Sequence, residues 1–164
     1  LGHGPSGEEA SDKAVAVFNE NKHLSPAEII EEAHPALRST RGAAIAVAEV
    51  NRGRNEVCYA GIGNIRGVIL SSKGRRSMIS HNGIVGLQIR KIQEFTYPWP
   101  DDGVLVMHSD GLGSRWELER YPGLIRKHPA LIAGTLYRDF YKGSDDVAVV
   151  VVRERARVAG EQAP

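Results

Sequence analysis

The run Val104-Leu105-Val106-Met107-His108-Ser109-Asp110-Gly111-Leu112 decides how this 164-residue chain is read. Residues 104–108 are nearly continuously apolar and short, the pattern of a strand buried on both faces. The Asp-Gly pair that follows releases the chain into a turn and leaves a carboxylate at the strand's C-terminal end. Asp-Gly is also ordinary turn chemistry, so Asp110 becomes informative only if another acid meets it. The candidate is Ser144-Asp145-Asp146, directly before a second apolar run at 147–152. Acids there equally serve to keep a loop soluble. Geometry couples the two motifs. If the strands run antiparallel in one sheet, the end of one and the start of the other share an edge, and Asp110 and Asp145 meet. Carboxylates brought together repel unless they are protonated or bridged by cations. Oxygen donors suit hard ions such as Mg²⁺ or Mn²⁺, and a phosphate substrate fits such a site.

Working outward, the opening Leu1-Gly2-His3-Gly4-Pro5-Ser6-Gly7 is a turn sequence. Ala10, Ala14, Val17 and Phe18 then recur with helical period and predict one apolar face. Ser25-Pro26-Ala27-Glu28 predicts a second helix start, with serine as cap, proline in the first turn and glutamate closing a capping box. Ile29, Ile30, Ala33 and Leu37 give this helix its stripe, and Pro35 is expected to bend it or end it early. From residue 43 the period becomes extended. Residues 43–50 and 56–60 read as a hairpin across Arg52-Gly53-Arg54-Asn55, and 64–70, 76–80 and 91–97 continue the strand series. Helical pieces are expected at 116–120, 122–126 and 129–141. The run 147–152 is apolar throughout, which predicts a central strand. Hairpin order implies an α+β fold, an antiparallel sheet with helices on its faces.

Apolar residues make up 41% and charged residues 25% of the chain, ordinary for one globular domain. Twenty-one basic and 20 acidic residues leave a net charge of +1, which argues against nucleic acid or an anionic membrane as partner. No apolar run approaches the ~20 residues of a membrane helix, and no secretory signal pattern is visible. Cys58 is the lone cysteine, reads as a small core residue, and points to a reducing, cytoplasmic setting. The opening loop matches GxGxxG, but nucleotide binding is rejected. No strand precedes it, Glu8 and Glu9 put negative charge where a pyrophosphate would sit, and a second helix follows. The histidines lack metal-ligand spacing, and no serine has the context of a nucleophile elbow.

Taken together, Ser109-Asp110-Gly111-Leu112 followed by Asp145-Asp146-Val147-Ala148-Val149 resembles the paired aspartate motifs of SpoIIE-like, type 2C (PPM) phosphatases. Leu1-Gly2-His3-Gly4 looks like the remainder of that family's Asp-Gly-Leu-Gly-His-Gly motif, and Ala60-Gly61-Ile62-Gly63-Asn64-Ile65-Arg66 resembles its central glycine-asparagine motif. Thr40-Arg41-Gly42-Ala43-Ala44, Ser80-His81-Asn82-Gly83 and the stretch from Tyr121-Pro122-Gly123-Leu124 to Asp139-Phe140 look closest to RsbX-type stressosome phosphatases, and equally to phosphatase domains fused to anti-sigma kinase modules. The resemblance implies a PPM-type β-sandwich of antiparallel strands flanked by helices over residues 1–153, with its N-terminal strands missing ahead of Leu1; the charged, small-residue composition of 154–164 predicts a flexible tail. It implies two Mn²⁺ or Mg²⁺ ions at one edge and in-line attack of water on a phosphoserine or phosphothreonine. Asp110 and Asp145 would be catalytic metal ligands. Asp146, His3, Gly63, Asn64 and Gly111 would be near neighbours, and His81 and Asn82 would sit on a loop approaching the substrate. Val147-Ala148 departs from the more usual pairing that ends in threonine.

Two functions follow from different classes. One is a protein phosphatase acting on phosphorylated regulators, such as STAS-type anti-sigma antagonists or stressosome components. The other is a pseudophosphatase that binds a phosphoprotein without turning it over. Asp110 and Asp145 favour the first.

Overall fold

A computed structural model describes residues 4–143 and 145–154. Pro5 opens α1 (Pro5–Glu20), where its fixed φ suits a turn whose amides need no helical partner. α2 (Pro26–Ala36) carries the expected capping box. The Glu28 amide donates to Ser25 Oγ at 3.4 Å, and the Ser25 amide donates to the Glu28 carboxylate at 2.8 Å. The helix runs through Pro35 and closes one residue later, the Leu37 amide returning to the Ala33 carbonyl at 3.0 Å. A proline this near the C-terminus removes only one ladder bond.

The strands follow as β1 (Ile45–Asn51), β2 (Glu56–Ile62), β3 (Arg66–Ser71), β4 (Gly74–Ser77), β5 (Gly83–Ile84), β6 (Gln88–Ile89), β7 (Glu94–Pro98) and β8 (Val104–His108). Short 3₁₀ turns at Leu118–Arg120 and Leu124–Arg126 lead to α3 (Pro129–Phe140) and the last strand, β9 (Val149–Arg153). The fold is α+β with antiparallel pairing throughout the named strands. One sheet has the order β1-β2-β7, the second β4-β3-β8-β9, and β5-β6 forms a small separate hairpin that the sequence pattern did not announce.

The two larger sheets face each other. Val57, Tyr59 and Tyr97 from the first interdigitate with Ile69 and Leu105 from the second, and with Met78 and Trp99. On the outer face of the first sheet, Val47, Ala60 and Ile62 pack under Ala10 of α1 and Ile29, Ile30 and Ala33 of α2. On the outer face of the second, Val68, Leu70, Val104 and Val106 pack under Trp116, Ile132 and Leu136. The period of two along β3 and β8 divides their side chains between these layers, so helix, sheet, sheet and helix share one sandwich. Each large aliphatic chain buried this way contributes about 1.5–3 kcal/mol relative to exposure.

Two expectations are corrected. β9 is not central: among the described residues it lies at the sheet's edge beside β8, with Val150 54% and Val152 38% exposed. An apolar run says that a strand can be covered on both faces but not what covers it. Phe18, assigned to the apolar face of the first helix, is 41% exposed, while Ala10, Ala14 and Val17 of that face do pack inward. Of the expected tail, only Glu154 is described, and its carboxylate accepts a hydrogen bond from Trp99 Nε1 at 3.3 Å. No described helix is long and apolar enough to cross a membrane.

Candidate active site

The antiparallel pairing of β8 with β9 is what brings the two acidic motifs together. Val104 faces Arg153 at one end and His108 faces Val149 at the other, so Asp110 leaves β8 at the edge where Asp145 and Asp146 lead into β9. Ser109 continues the ladder. Its amide donates to the Ala148 carbonyl at 3.1 Å, and its Oγ accepts from the Ala148 amide at 2.9 Å and donates to the Asp146 carbonyl at 3.4 Å. A second short pairing steers the incoming chain. Gly113 donates to the Phe140 carbonyl at 2.8 Å and Lys142 to the Gly111 carbonyl at 3.1 Å, so the residues after α3 run alongside the turn that carries Asp110.

Gly111 is required by this approach. A Cβ there would collide with the backbone carbonyl oxygen of Asp146 and sit 2.9 Å from its carbonyl carbon. Both atoms are main chain, so the loop must shift to admit even a methyl group. Gly111→Ala is therefore expected to lose about 1–3 kcal/mol of stability and to separate the two acidic segments. Urea unfolding measures the first effect, and turnover in the same preparation measures the second.

Asp110, Asp145 and Asp146 line one cavity of about 500 Å³, together with Asn64 and Ile65. The cavity continues as an apolar channel between α1, from Gly7 to Phe18, and residues 43–47. Asn64 Nδ2 donates to Asp110 Oδ2 at 2.6 Å, which orients the carboxylate. Asn64 is held there by Gly63, whose φ of 98° lies in the left-handed region that glycine adopts without strain. A Cβ on Gly63 would also lie 2.6 Å from Cβ of Ala44. Asp145 turns back on itself, its Oδ1 accepting the Asp146 amide at 2.9 Å. Asp110 and Asp145 are half-buried, and Asp146 is exposed.

Beneath the turn lies His108, 3% exposed. Its Nε2 accepts from Trp116 Nε1 at 3.1 Å, so Nδ1 carries the proton and donates to the Ser109 carbonyl at 2.8 Å. Burial pushes the ring's pKa below the ordinary histidine value, with Arg66, Arg75 and Lys142 adding to the effect, and the imidazole is neutral. It is a structural strut between the Trp116 core and the residue before Asp110.

Gly63, Asn64, Gly111 and Asp146 thus gather around Asp110 and Asp145. His81 and Asn82 are not among the residues that line the 500 Å³ cavity. The His81 ring packs on Phe95 with centroids 5.8 Å apart, and its Nε2 is buried without a hydrogen-bond partner. His3 lies outside the described residues. Sequence reading missed two contributors. Ser109 lacks the context of a nucleophile yet splices the two motifs through its hydroxyl. Lys142 donates from Nζ to the Asp110 carbonyl at 2.5 Å, and its only sequence signal was a lone cation shortly before Asp145.

As a metal site, the cavity offers carboxylate oxygens. Among the described residues no group of three or more His, Cys, Asp or Glu side chains is close enough to hold an ion. Asp110 and Asp145 fit a hard divalent cation as part of its oxygen shell, the remaining positions falling to water, phosphate or further oxygens.

The stage II sporulation protein E (SpoIIE) family model matches residues 1–155. No curated protein matches the chain in sequence. Among solved structures, the chain is similar to one from work on the bacterial stressosome as a modular system adapted to control secondary messenger signaling. That structure is 27% identical, with a TM-score of 0.85 over 93% of this chain and 80% of the other. It also resembles RsbX in complex with magnesium, 21% identical with a TM-score of 0.77 over 92% of this chain and 75% of RsbX. The Mycobacterium tuberculosis serine/threonine phosphatase PstP/Ppp shares the fold at 15% identity, with a TM-score of 0.69 over 92% of this chain and 83% of the other. With its model spanning residues 1–155 of the 164, the chain belongs to the SpoIIE family, and it shares its fold with RsbX and with the PstP/Ppp phosphatase.

Proposed function

We propose that residues 1–153 act as a metal-dependent phosphoserine/phosphothreonine phosphatase domain whose substrate is a phosphorylated bacterial regulatory protein. One observation carries the reading: two half-buried aspartates from motifs far apart in sequence, Asp110 and Asp145, face the same cavity at the paired end of β8 and β9. In this reading both hold divalent ions, Mg²⁺ or Mn²⁺. Bound there, such ions supply Lewis-acid polarisation of the phosphoryl oxygens and a water of lowered pKa. The protein's own part is positional. Asn64 fixes one oxygen of Asp110, and Lys142 and Ser109 fix the backbone on either side of it. The likeness to RsbX and to a stressosome structure supports a regulatory phosphoprotein as substrate, with a STAS-type antagonist or a stressosome component as the candidate.

The experiment is hydrolysis of a phosphoserine protein by the full-length protein over a Mn²⁺ titration, and then after EDTA. Turnover is expected to saturate with metal and to fall to background on chelation. Turnover indifferent to EDTA overturns the reading. A second reading, a phosphoprotein-binding module without catalysis, draws on the absence of a three-ligand cluster among the described residues. It predicts binding of the phosphoprotein with no phosphate released at any metal concentration.

A further inference from the structure

Asp110 stands at the junction of two cavities. The first, described above, also holds Asp145 and Asp146. The second, about 360 Å³, opens on the other side of Asp110 and Asn64 and contains neither of those acids. Its polar lining is Arg66, Lys142, Ser80 and Ser114. Asp110 is the only acid among the described residues that line it, and its carboxylate takes its hydrogen bond from Asn64 rather than from either cation. Arg66 opens β3 directly across from His108, at the level of the turn. Neither Arg66 nor Lys142 forms an ion pair among the described residues, whereas other arginines and lysines of the chain pair with neighbouring acids. Lys142 spends one of its three N–H donors on the Asp110 carbonyl, which leaves two for a ligand.

A phosphoryl group belongs where Asp110 and Asp145 both reach it, in the first cavity. On that reading, the second cavity, which shares Asp110 and Asn64 with the first, adjoins the part of the substrate next to the phosphorylated residue. We propose that the Arg66–Lys142 cavity is a specificity subsite that takes an acidic side chain flanking the phosphoserine or phosphothreonine of a protein substrate. This rests on the phosphatase reading for its substrate class and goes beyond it by assigning two residues to sequence preference. The cations are solvent-accessible, so each contact contributes modestly. Two of them amount to a roughly three- to tenfold preference at low salt.

The test separates binding from turnover. Labelled peptides carrying a non-hydrolysable phosphonate analogue of phosphoserine, flanked by Glu, Ala or Lys, are titrated by fluorescence anisotropy with the full-length protein and Mn²⁺. The Glu-flanked peptide is expected to bind about three- to tenfold tighter than the Ala-flanked one, the gap narrowing at about 0.5 M salt. Arg66→Gln should bring the ratio toward one, and Arg66→Glu should turn the preference toward Lys. Equal affinities in the wild type, or a preference that survives Arg66→Gln, overturn the subsite. Hydrolysis of the matching phosphoserine peptides is followed in parallel. A binding preference without turnover removes the enzymatic reading and leaves the subsite standing. Turnover without a preference removes the subsite alone.

Discussion

Asp110→Asn is expected to lower metal-dependent turnover by a factor of about a hundred to a thousand, and Asp145→Asn to do the same. The substitution keeps the shape and removes the charge. Asparagine at 110 still offers an oxygen to the Asn64 amide, and asparagine at 145 still offers one to the Asp146 amide, so the local hydrogen bonds survive. What is lost is the negative charge that holds a divalent ion. Asp146 is exposed and its carboxylate forms no hydrogen bond among those described, so Asp146→Asn should have a clearly smaller effect. Without metal, neither Asp110→Asn nor Asp145→Asn should destabilise the fold by more than about 0.5 kcal/mol, because each keeps its local hydrogen bonds. Initial rates of phosphoserine-peptide hydrolysis across a Mn²⁺ series, with urea unfolding beside them, check both halves. Full activity in both variants would sink the two-aspartate site.

The second large effect is structural. Trp116→Ala is expected to cost about 3–5 kcal/mol, a large fraction of the 5–15 kcal/mol typical of a whole domain. Trp116 is fully buried, at 0% exposure, in the core under the second sheet. Its indole N–H donates to His108 Nε2, and the Arg75 guanidinium lies 4.1 Å above its ring centre while donating to its carbonyl at 2.7 Å. Truncation empties an aromatic volume, strands the histidine nitrogen in an apolar setting, and uncovers Arg75. A fall in melting temperature of about 6–20 °C follows for a chain of this size. Trp116→Phe separates the contributions, since it keeps most of the packing and loses only the N–H donor, about 1–3 kcal/mol. Thermal and urea unfolding followed by circular dichroism measure both variants. An unchanged midpoint in Trp116→Ala would mean that this cluster does not hold the α3 side of the sandwich.

Much of this protein was written locally. The capping box at Ser25 and Glu28, the hairpin across residues 52–55, the buried runs of β2 and β8 and the helix after Pro129 each depend on neighbours a few positions away. Periodicity and capping chemistry report just that range. The two aspartate motifs were equally visible, because Asp-Gly after a strand and Asp-Asp before one are short signals.

What the chain could not declare locally, the tertiary structure decided. The valines of β9 are apolar enough for a central strand, yet which strands flank them is a question of sheet order, and there β9 has β8 on one side only among the described residues. Ser109 and Lys142 have no motif of their own. Their roles come from hydrogen bonds to partners 39 and 32 positions away, formed once β9 and the residues after α3 fold back along β8. The same folding divides Asp110 between an acidic cavity and a basic one, and packs His81 against Phe95 rather than into the acidic cavity. Sequence supplied the charges and their strands. Only the antiparallel register set them at a common edge, because the distance between two side chains on different strands depends on the pairing and not on their spacing along the chain.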